Sequence, residues 1–171
     1  MSTGATPVLA AQHHIAAWAA KTERDQRRAN GLPGQPGWGN VPAMSIALSH
    51  ITIDCADPYE LAGFWHEVTG WPRPDDDLPG DPEASLFPPD GGTGLWFQVV
   101  PEPKAVKNRL HLDIRPTDHT RDVEVERVQA LGATFVADFR EPDGTGWVVL
   151  ADPDGNEFCV LRSDAERAAT S

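Results

Sequence analysis

The sequence is poor in cysteine and in basic residues, and it has no long apolar run. Cys55 and Cys159 are its only two cysteines among 171 residues, so neither a disulfide framework nor a cysteine-rich zinc motif is predicted. No stretch approaches the roughly 20 apolar residues of a transmembrane helix. The first residues also lack the basic and apolar segments of a secretory signal. These absences favour a cytoplasmic protein with reduced thiols.

Positive charge is scarce: 14 Lys and Arg stand against 26 Asp and Glu, a formal net charge of −12 at pH 7. Residues 1–43 contain four basic and two acidic residues, whereas residues 44–171 contain ten and twenty-four, a net charge of −14 (10 − 24). Such a body repels nucleic acid and anionic membrane surfaces. We therefore expect neither of these partners. The chain is long enough to bury one full core.

Residues 1–43 form an extension that differs from the body. Apolar residues at three- and four-residue spacing predict an amphipathic helix over residues 7–30, and the Gly- and Pro-rich stretch after it predicts a linker. Two interpretations stay open: the helix docks on the body or on a partner subunit, or Met44 is the true start of translation. We assign the body to residues 44–163, with halves at 44–104 and 105–163, and a tail to residues 164–171.

The body contains an internal repeat in which matching residues keep a constant offset. His50 and His111 each lie in a predicted strand. Gln98 lies as far along the chain from the first histidine as Cys159 lies from the second. A duplicated unit of about 60 residues is too long for a solenoid repeat and indicates a tandem supersecondary motif.

Each half has the periodicity of one strand, one helix and further strands. The first half predicts a strand at 46–55, a helix at 58–69, a short edge strand inside an acidic loop, and strands near 84–87 and 95–100. The second half predicts a strand at 110–115, a helix capped by Asp118 or Thr120 and ending at Leu131, and strands at 134–139, 147–151 and 157–162.

This order predicts an α+β fold in which two tandem βαβββ modules form a curved mixed sheet around a central cavity, with the helices on the outer face. Because strand side chains alternate between faces, a polar set shares the face of the two histidines. The candidate pocket residues of that set are Thr52, Asp54, Trp96, Asp113, Arg115 and Leu161. A polar sheet face that simply meets water is the alternative.

Three segments carry a family resemblance: HITIDCADPYELAGFWHEVTGW, HLDIRPTD, and DGTGWVVLADPDGNEFCVL. Together they resemble the vicinal oxygen chelate superfamily, the group of glyoxalases, bleomycin resistance proteins and extradiol dioxygenases, and in particular its glyoxalase-like domain proteins. The similarity extends over about residues 46–162. It implies the fold predicted above.

The resemblance also implies a divalent metal held by the first and last strands of the halves. By position, His50 and His111 match the histidine ligands, whereas Gln98 and Cys159 occupy the places of two acidic ligands. Glu157 lies two residues before Cys159 on the same strand face. Zinc suits a set with a thiolate, and iron, nickel or manganese would suit a set completed by the carboxylate. Without a metal, the histidines would donate hydrogen bonds or transfer protons.

Two functions follow from the resemblance. One is a metal-dependent lyase, isomerase or dioxygenase that acts on a small oxygenated metabolite. The alternative is a non-catalytic, antibiotic-type binding protein that uses no metal, which the missing acidic ligands favour. In both, the partner is a small molecule. The two halves enclose the site within one chain or by exchange in a homodimer, and the sequence leaves these alternatives open.

Overall fold

The structure is a computed structural model that describes residues 48–169. The predicted helix over residues 7–30, its linker and Met44 lie outside this range. The elements of the described range are, in order, β1 (His50–Cys55), α1 (Pro58–Thr69), β2 (Glu83–Leu86), β3 (Gly94–Val99), β4 (Asp113–Ile114), α2 (Arg121–Ala130), β5 (Thr134–Asp138), β6 (Val148–Ala151), β7 (Glu157–Val160) and α3 (Asp164–Ala168). Among these helices none has the length and apolar character to cross a bilayer.

The strands form two mixed sheets, and the α+β class is confirmed. The first sheet has the order β1-β3-β2, in which β1 is parallel and β2 antiparallel to β3. The second has the order β4-β7-β6-β5, in which β4 is parallel to β7 and the other pairs are antiparallel. Each half thus joins its first strand to its last, as a tandem repeat requires.

The first half contains three strands where the second contains four, because the expected short edge strand is absent from the described loop between α1 and β2. That loop is rich in proline, which lacks the N–H group that a strand ladder needs. Asp77 takes over one task of the missing strand: its buried carboxylate accepts a 2.9 Å hydrogen bond from the Ser85 amide of β2. A side chain therefore accepts a hydrogen bond from the edge strand β2, as the backbone of a neighbouring strand would.

The curved sheet does not close into a barrel. β1 and β4 are edge strands of separate sheets, and a cavity of about 210 Å³ lies between β1 and the chain that enters β4. β4 itself is limited to two residues, shorter than the strand predicted at 110–115. The chain before it is held by the Asn108 amide, which donates a 3.0 Å hydrogen bond to Glu157.

Helix α1 has the predicted limits because its end signals are local. Asp57 is the N-cap and accepts a hydrogen bond from the Glu60 amide at 3.1 Å, and Pro58 occupies the first turn. Gly70 ends the helix with a φ of 70°, a left-handed conformation that favours glycine. Leu61, Phe64 and Trp65 form its buried side.

The two halves share one core, in which α1 of the first half contacts β7 of the second. Trp65 and Phe158 lie with ring centroids 5.1 Å apart, and the Trp65 indole N–H donates a 3.3 Å hydrogen bond to Asp152. The other oxygen of this buried carboxylate accepts the amides of Asp154 and Asn156 at 3.1 and 2.9 Å. The DPDGN turn of the second half is therefore packed against the helix of the first.

Helix α2 begins at one of its two predicted caps, and its buried side includes a charged residue. Its N-cap is Thr120, and Asp118 pairs instead with His119. The apolar positions of its sequence, Val123, Val125, Val128 and Leu131, predict a buried side that is partly wrong, since Val123 is 51% exposed and Glu124 is buried. The reason is that α2 contacts the rest of the protein through an ion pair between Glu124 and Arg127.

The charged contact of α2 joins it to α1. Arg127 binds the buried Glu124 carboxylate through two 2.8 Å hydrogen bonds and donates to the carbonyls of Glu67 and Val68 at 3.0 and 2.9 Å. These carbonyls belong to the last turn of α1, where helical partners are missing. A partly buried ion pair thus completes the end of the other helix.

The tail expected at residues 164–171 begins with a short helix. Ser163 and Glu166 form a capping box, in which the serine hydroxyl accepts the Glu166 amide at 3.3 Å. The Glu166 carboxylate also accepts the Arg121 amide at 2.8 Å, which ties α3 to the start of α2.

We predict that Asp152→Ala lowers the free energy of unfolding by about 3 kcal/mol, because the buried Trp65 indole and two backbone amides of the turn lose their acceptor. Urea denaturation followed by circular dichroism measures this loss. The matched control is Asp143→Ala, which removes an exposed turn carboxylate bonded to the Thr145 amide and should have a much smaller effect. Equal losses for the two variants would contradict the role given to Asp152.

We also predict a pH-dependent contribution from His119. Hydrogen bonds to Glu124 and Asp118, at 2.6 and 2.5 Å, outweigh partial burial and raise the pKa of His119 above 6.5. A raised histidine pKa stabilises the fold fully below the unfolded pKa, and this contribution is lost as pH rises through the folded pKa. As the pH rises above 6.5, the wild type should therefore lose stability relative to His119→Asn. Parallel profiles of unfolding free energy against pH for the two proteins, measured in urea, would refute this.

Candidate metal and ligand site on the second sheet

The register of the second sheet places four residues in one row across its strands. Ala137 pairs with Val149, Val149 with Cys159, and Cys159 with Asp113. Paired residues share a sheet face, and Val148 and Leu150 point the other way into the core. We call the face of this row the site face. His111 precedes Asp113 by two residues and belongs to the same face.

Three side chains converge at the β4 end of this row. His111 Nδ1 lies 3.1 Å from Asp113 Oδ1 and 3.6 Å from Cys159 Sγ. One ligand atom from each residue lies within 4.8 Å of the others. Within residues 48–169, these three residues are the group of His, Cys, Asp or Glu side chains close enough together to hold a metal ion. The histidine and the aspartate are exposed, whereas the cysteine is buried. We call these three residues the donor set.

The donor distances fit a tetrahedral zinc ion. Zinc bonds of about 2.0–2.1 Å to nitrogen, 2.0–2.2 Å to oxygen and 2.3 Å to sulfur put nitrogen and oxygen ligands about 3.4 Å apart, and nitrogen and sulfur ligands about 3.6 Å apart. The observed distances of 3.1 Å from His111 to Asp113 and 3.6 Å from His111 to Cys159 are close to both values.

The protonated state of the Cys159 thiol disfavours the binding of a metal ion. Burial and the neighbouring Asp113 carboxylate raise the pKa of the thiol to about 11. At neutral pH the thiol therefore keeps its proton, which a hydrogen bond directs to the carboxylate. Because zinc binds the thiolate, the ion would have to displace this proton.

Glu157 and Gln98 are engaged in other contacts. The Glu157 carboxylate accepts the Asn108 amide at 3.0 Å and pairs with Lys104 at 2.9 Å. Burial opposes its ionisation, but these two partners outweigh burial and lower the pKa of Glu157 to about 2. The Gln98 amide donates a 3.1 Å hydrogen bond to the Pro82 carbonyl of its own half.

His50 lies in the first sheet, outside the donor set. Its ring packs on Trp96 with a centroid distance of 5.3 Å, and burial lowers the pKa of His50. In this sheet the partner of Gln98 is Asp54, four residues after His50. Since a strand rises about 3.3 Å per residue, the histidine is displaced by about 13 Å along the strand from Gln98.

The second half has a different register. Here the partner of Cys159 is Asp113, only two residues after His111. The displacement along the strand is therefore about 7 Å, which a histidine side chain spans. The identical sequence spacing in the two halves thus corresponds to two different geometries, because the parallel pairs differ in register by two residues.

Asp113 of the predicted pocket residues belongs to the donor set, and the other five lie in three places. Thr52 and Asp54 line the cavity of about 210 Å³ between the halves, together with His111 and Glu157. Trp96 lies apart from that cavity and is completely buried in the first sheet.

The remaining two lie on the second sheet beyond the donor set. Leu161 is half-buried, and its amide donates to the Ile114 carbonyl at 2.9 Å. Arg115 donates a 2.7 Å hydrogen bond to Asp164 of α3. Both positions continue the strands that carry Cys159 and Asp113.

Two aromatic residues of the site face are absent from the sequence-based set. Phe139 and Trp147 lie at the two ends of the β5–β6 connection, with ring centroids 5.5 Å apart. The alternation of Trp147, Val148 and Val149 was a signal for the orientation of the tryptophan, but only the pairing of Val149 with Cys159 relates it to the donor set.

Comparison with known proteins agrees with the fold. The model of the glyoxalase-like domain family matches residues 50–161. No curated protein matches the chain. Among solved structures, a glyoxalase/bleomycin resistance protein/dioxygenase family enzyme from Burkholderia phytofirmans PsJN superposes with a TM-score of 0.54 at 20% identity, covering 69% of this chain and 98% of the other.

Two fosfomycin resistance proteins are similar as well. FosX from Listeria monocytogenes, crystallised as a mutant with Mn(II) and 1S,2S-dihydroxypropylphosphonic acid, has a TM-score of 0.56 at 19% identity and covers 72% of this chain and 95% of its own. FosX from Mesorhizobium loti has a TM-score of 0.53 at 21% identity, with 74% and 99% covered. Because the family model spans well over half of the sequence, the chain belongs to the glyoxalase-like domain family.

Proposed function

We propose that this protein is a metal-dependent enzyme of the lyase or isomerase type that acts on a small oxygenated metabolite, with zinc held by His111, Asp113 and Cys159. The observation that carries the proposal is the convergence of the three donor atoms within 4.8 Å on the site face. A nitrogen, an oxygen and a sulfur donor suit zinc better than magnesium or manganese, which prefer oxygen ligands. Mn(II) in the Listeria FosX structure supports a divalent ion in this fold.

His111, Asp113 and Cys159 would hold the zinc ion, which would supply Lewis-acid chemistry at a substrate oxygen. The residues around it have separate tasks. The pKa of Glu157 is about 2, so its carboxylate is ionised near neutral pH. It is therefore a poor proton acceptor and contributes negative charge instead. Thr52 and Asp54 face the same cavity and offer polar contacts to the ligand.

A metal-free binding protein is the second candidate, and the raised pKa of Cys159 favours it. In that case the donor set is a hydrogen-bonded cluster, in which the thiol proton and the His111 ring hold the Asp113 carboxylate. The exposed imidazole and carboxylate would then bind the oxygen or nitrogen atoms of a ligand directly.

We predict that His111→Ala weakens zinc binding more than the roughly 10–100-fold that the loss of an outer-shell partner costs. The matched control is His50→Ala, which removes a histidine of the other half and should leave the affinity unchanged. Zinc binding is measured on untagged protein with a chromogenic competitor, and metal content by mass spectrometry. An untagged wild type that holds no stoichiometric zinc after reconstitution would refute the metal site.

We further predict that zinc binding releases about one proton from the Cys159 thiol at pH 7, since the ion displaces it. Isothermal titration calorimetry in buffers of different ionisation enthalpy measures this number. In Cys159→Glu, the new carboxylate is already ionised, so the released fraction should fall to about zero. An unchanged proton count in the variant would show that another group titrates.

A further inference from the structure

An exposed aromatic pair lies on the site face beside the donor set. Phe139 is 51% exposed and Trp147 is 42% exposed, although both are large apolar side chains. Their rings are 5.5 Å apart and tilted by 36°. The Phe139 amide donates to the Trp147 carbonyl at 2.9 Å, so the two residues face each other across β5 and β6. We call this pair the aromatic platform.

The platform has a defined position relative to the donor set. Trp147 precedes Val149 by two residues, and Val149 pairs directly with Cys159. The tryptophan is therefore displaced from the cysteine by about 7 Å along the strand and about 5 Å across the sheet, or about 9 Å in all. A single small molecule spans such a distance.

The platform is not part of the protein core. Val148 and Leu150 of β6 fill the core and are completely buried, whereas Trp147 points to the opposite face. Large exposed aromatic groups on one face mark binding surfaces, because burying them against a ligand removes apolar area from water. The donor set on the same face would bind the other end of such a ligand.

The turn that carries the platform is held rigidly. Arg121 is buried, and its guanidinium donates to the carbonyls of Gly144, Thr145 and Gly146 at 3.3, 3.3 and 3.0 Å. At Gly146, where φ is 84°, a Cβ atom would collide with the Phe139 carbonyl oxygen. Only glycine permits this close approach, which brings the two aromatic residues together.

We propose that the aromatic platform binds a flat aromatic group of the same ligand whose oxygen atoms reach the donor set. The substrate class of the protein is thus an aryl compound with an oxygenated, metal-chelating head. This inference rests on the proposed function for the head and on the platform for the ring. A rigid, exposed aromatic pair at a fixed distance favours an aromatic ligand over a small aliphatic one.

Two probes with the same chelating head separate the contribution of the ring. 4-Phenylbutyrohydroxamic acid carries a phenyl group on a three-carbon linker long enough to reach the platform, and butyrohydroxamic acid carries a hydrogen atom in place of the phenyl group. We expect zinc-loaded wild type to bind the phenyl probe about tenfold more tightly, which corresponds to about 1.4 kcal/mol. In Trp147→Ala and in Phe139→Ala the ratio should fall to about two, because the stacking surface for the phenyl ring is lost.

The control variant is Phe135→Ala. Phe135 is 54% exposed and lies on the same strand, but it pairs with Leu150 on the opposite face. It should keep the full preference for the phenyl probe. Calorimetric titration gives the four sets of dissociation constants.

Equal affinities of the two probes for the wild type would overturn the proposal, as would a preference that survives in both platform variants. Sedimentation velocity tests another occupant: a dimer that Trp147→Ala converts to a monomer would show that a second copy covers the platform, and would also overturn it. Zinc content is measured on the same samples. Retained zinc with equal probe affinities refutes only the platform, whereas a phenyl preference in protein that holds no zinc refutes only the metal site.

Discussion

The contact between α1 and the DPDGN turn determines how the two halves combine. Trp65 of the first half packs on Phe158 of the second and donates to the buried Asp152 carboxylate. That carboxylate also holds the amides of its own turn, so the turn, β7 and α1 form one unit. With Phe158 directed into the core, strand alternation directs Cys159 to the opposite face. The packing of one aromatic residue therefore orients the candidate ligand next to it.

The site follows from this orientation and from the strand register. β4 runs parallel to β7 with Asp113 beside Cys159, and the chain entering β4 brings His111 within reach of both. The first half has its parallel strands in a register that differs by two residues, which leaves His50 beside Trp96 instead. A duplicated fold thus holds one candidate metal site among the described residues, and its symmetric counterpart has become a packing contact.

Local signals explain which predictions succeeded. Asp57, Pro58 and Gly70 define α1 through caps that need no distant contact, and its predicted limits agree with the structure. The limits of β4 and the buried side of α2 depended on partners far along the chain, such as Glu157 for the segment before β4 and the α1 carbonyls for Arg127. Sequence periodicity describes only which side of an element is apolar. It therefore does not predict the buried side of a helix that packs through a partly buried ion pair.

The sequence by itself determined the fold class, the tandem repeat and the family. It also identified His111 and Cys159 as candidate metal ligands. These depend on periodicity, caps and motif residues, which are local properties of the chain. The tertiary structure decided that Asp113 joins these two residues and that His50, Gln98 and Glu157 have other contacts. It also placed Phe139 and Trp147 side by side on the sheet face of Cys159. Strand register made these decisions, because a shift of two residues keeps every side chain on its face while moving it by about 7 Å.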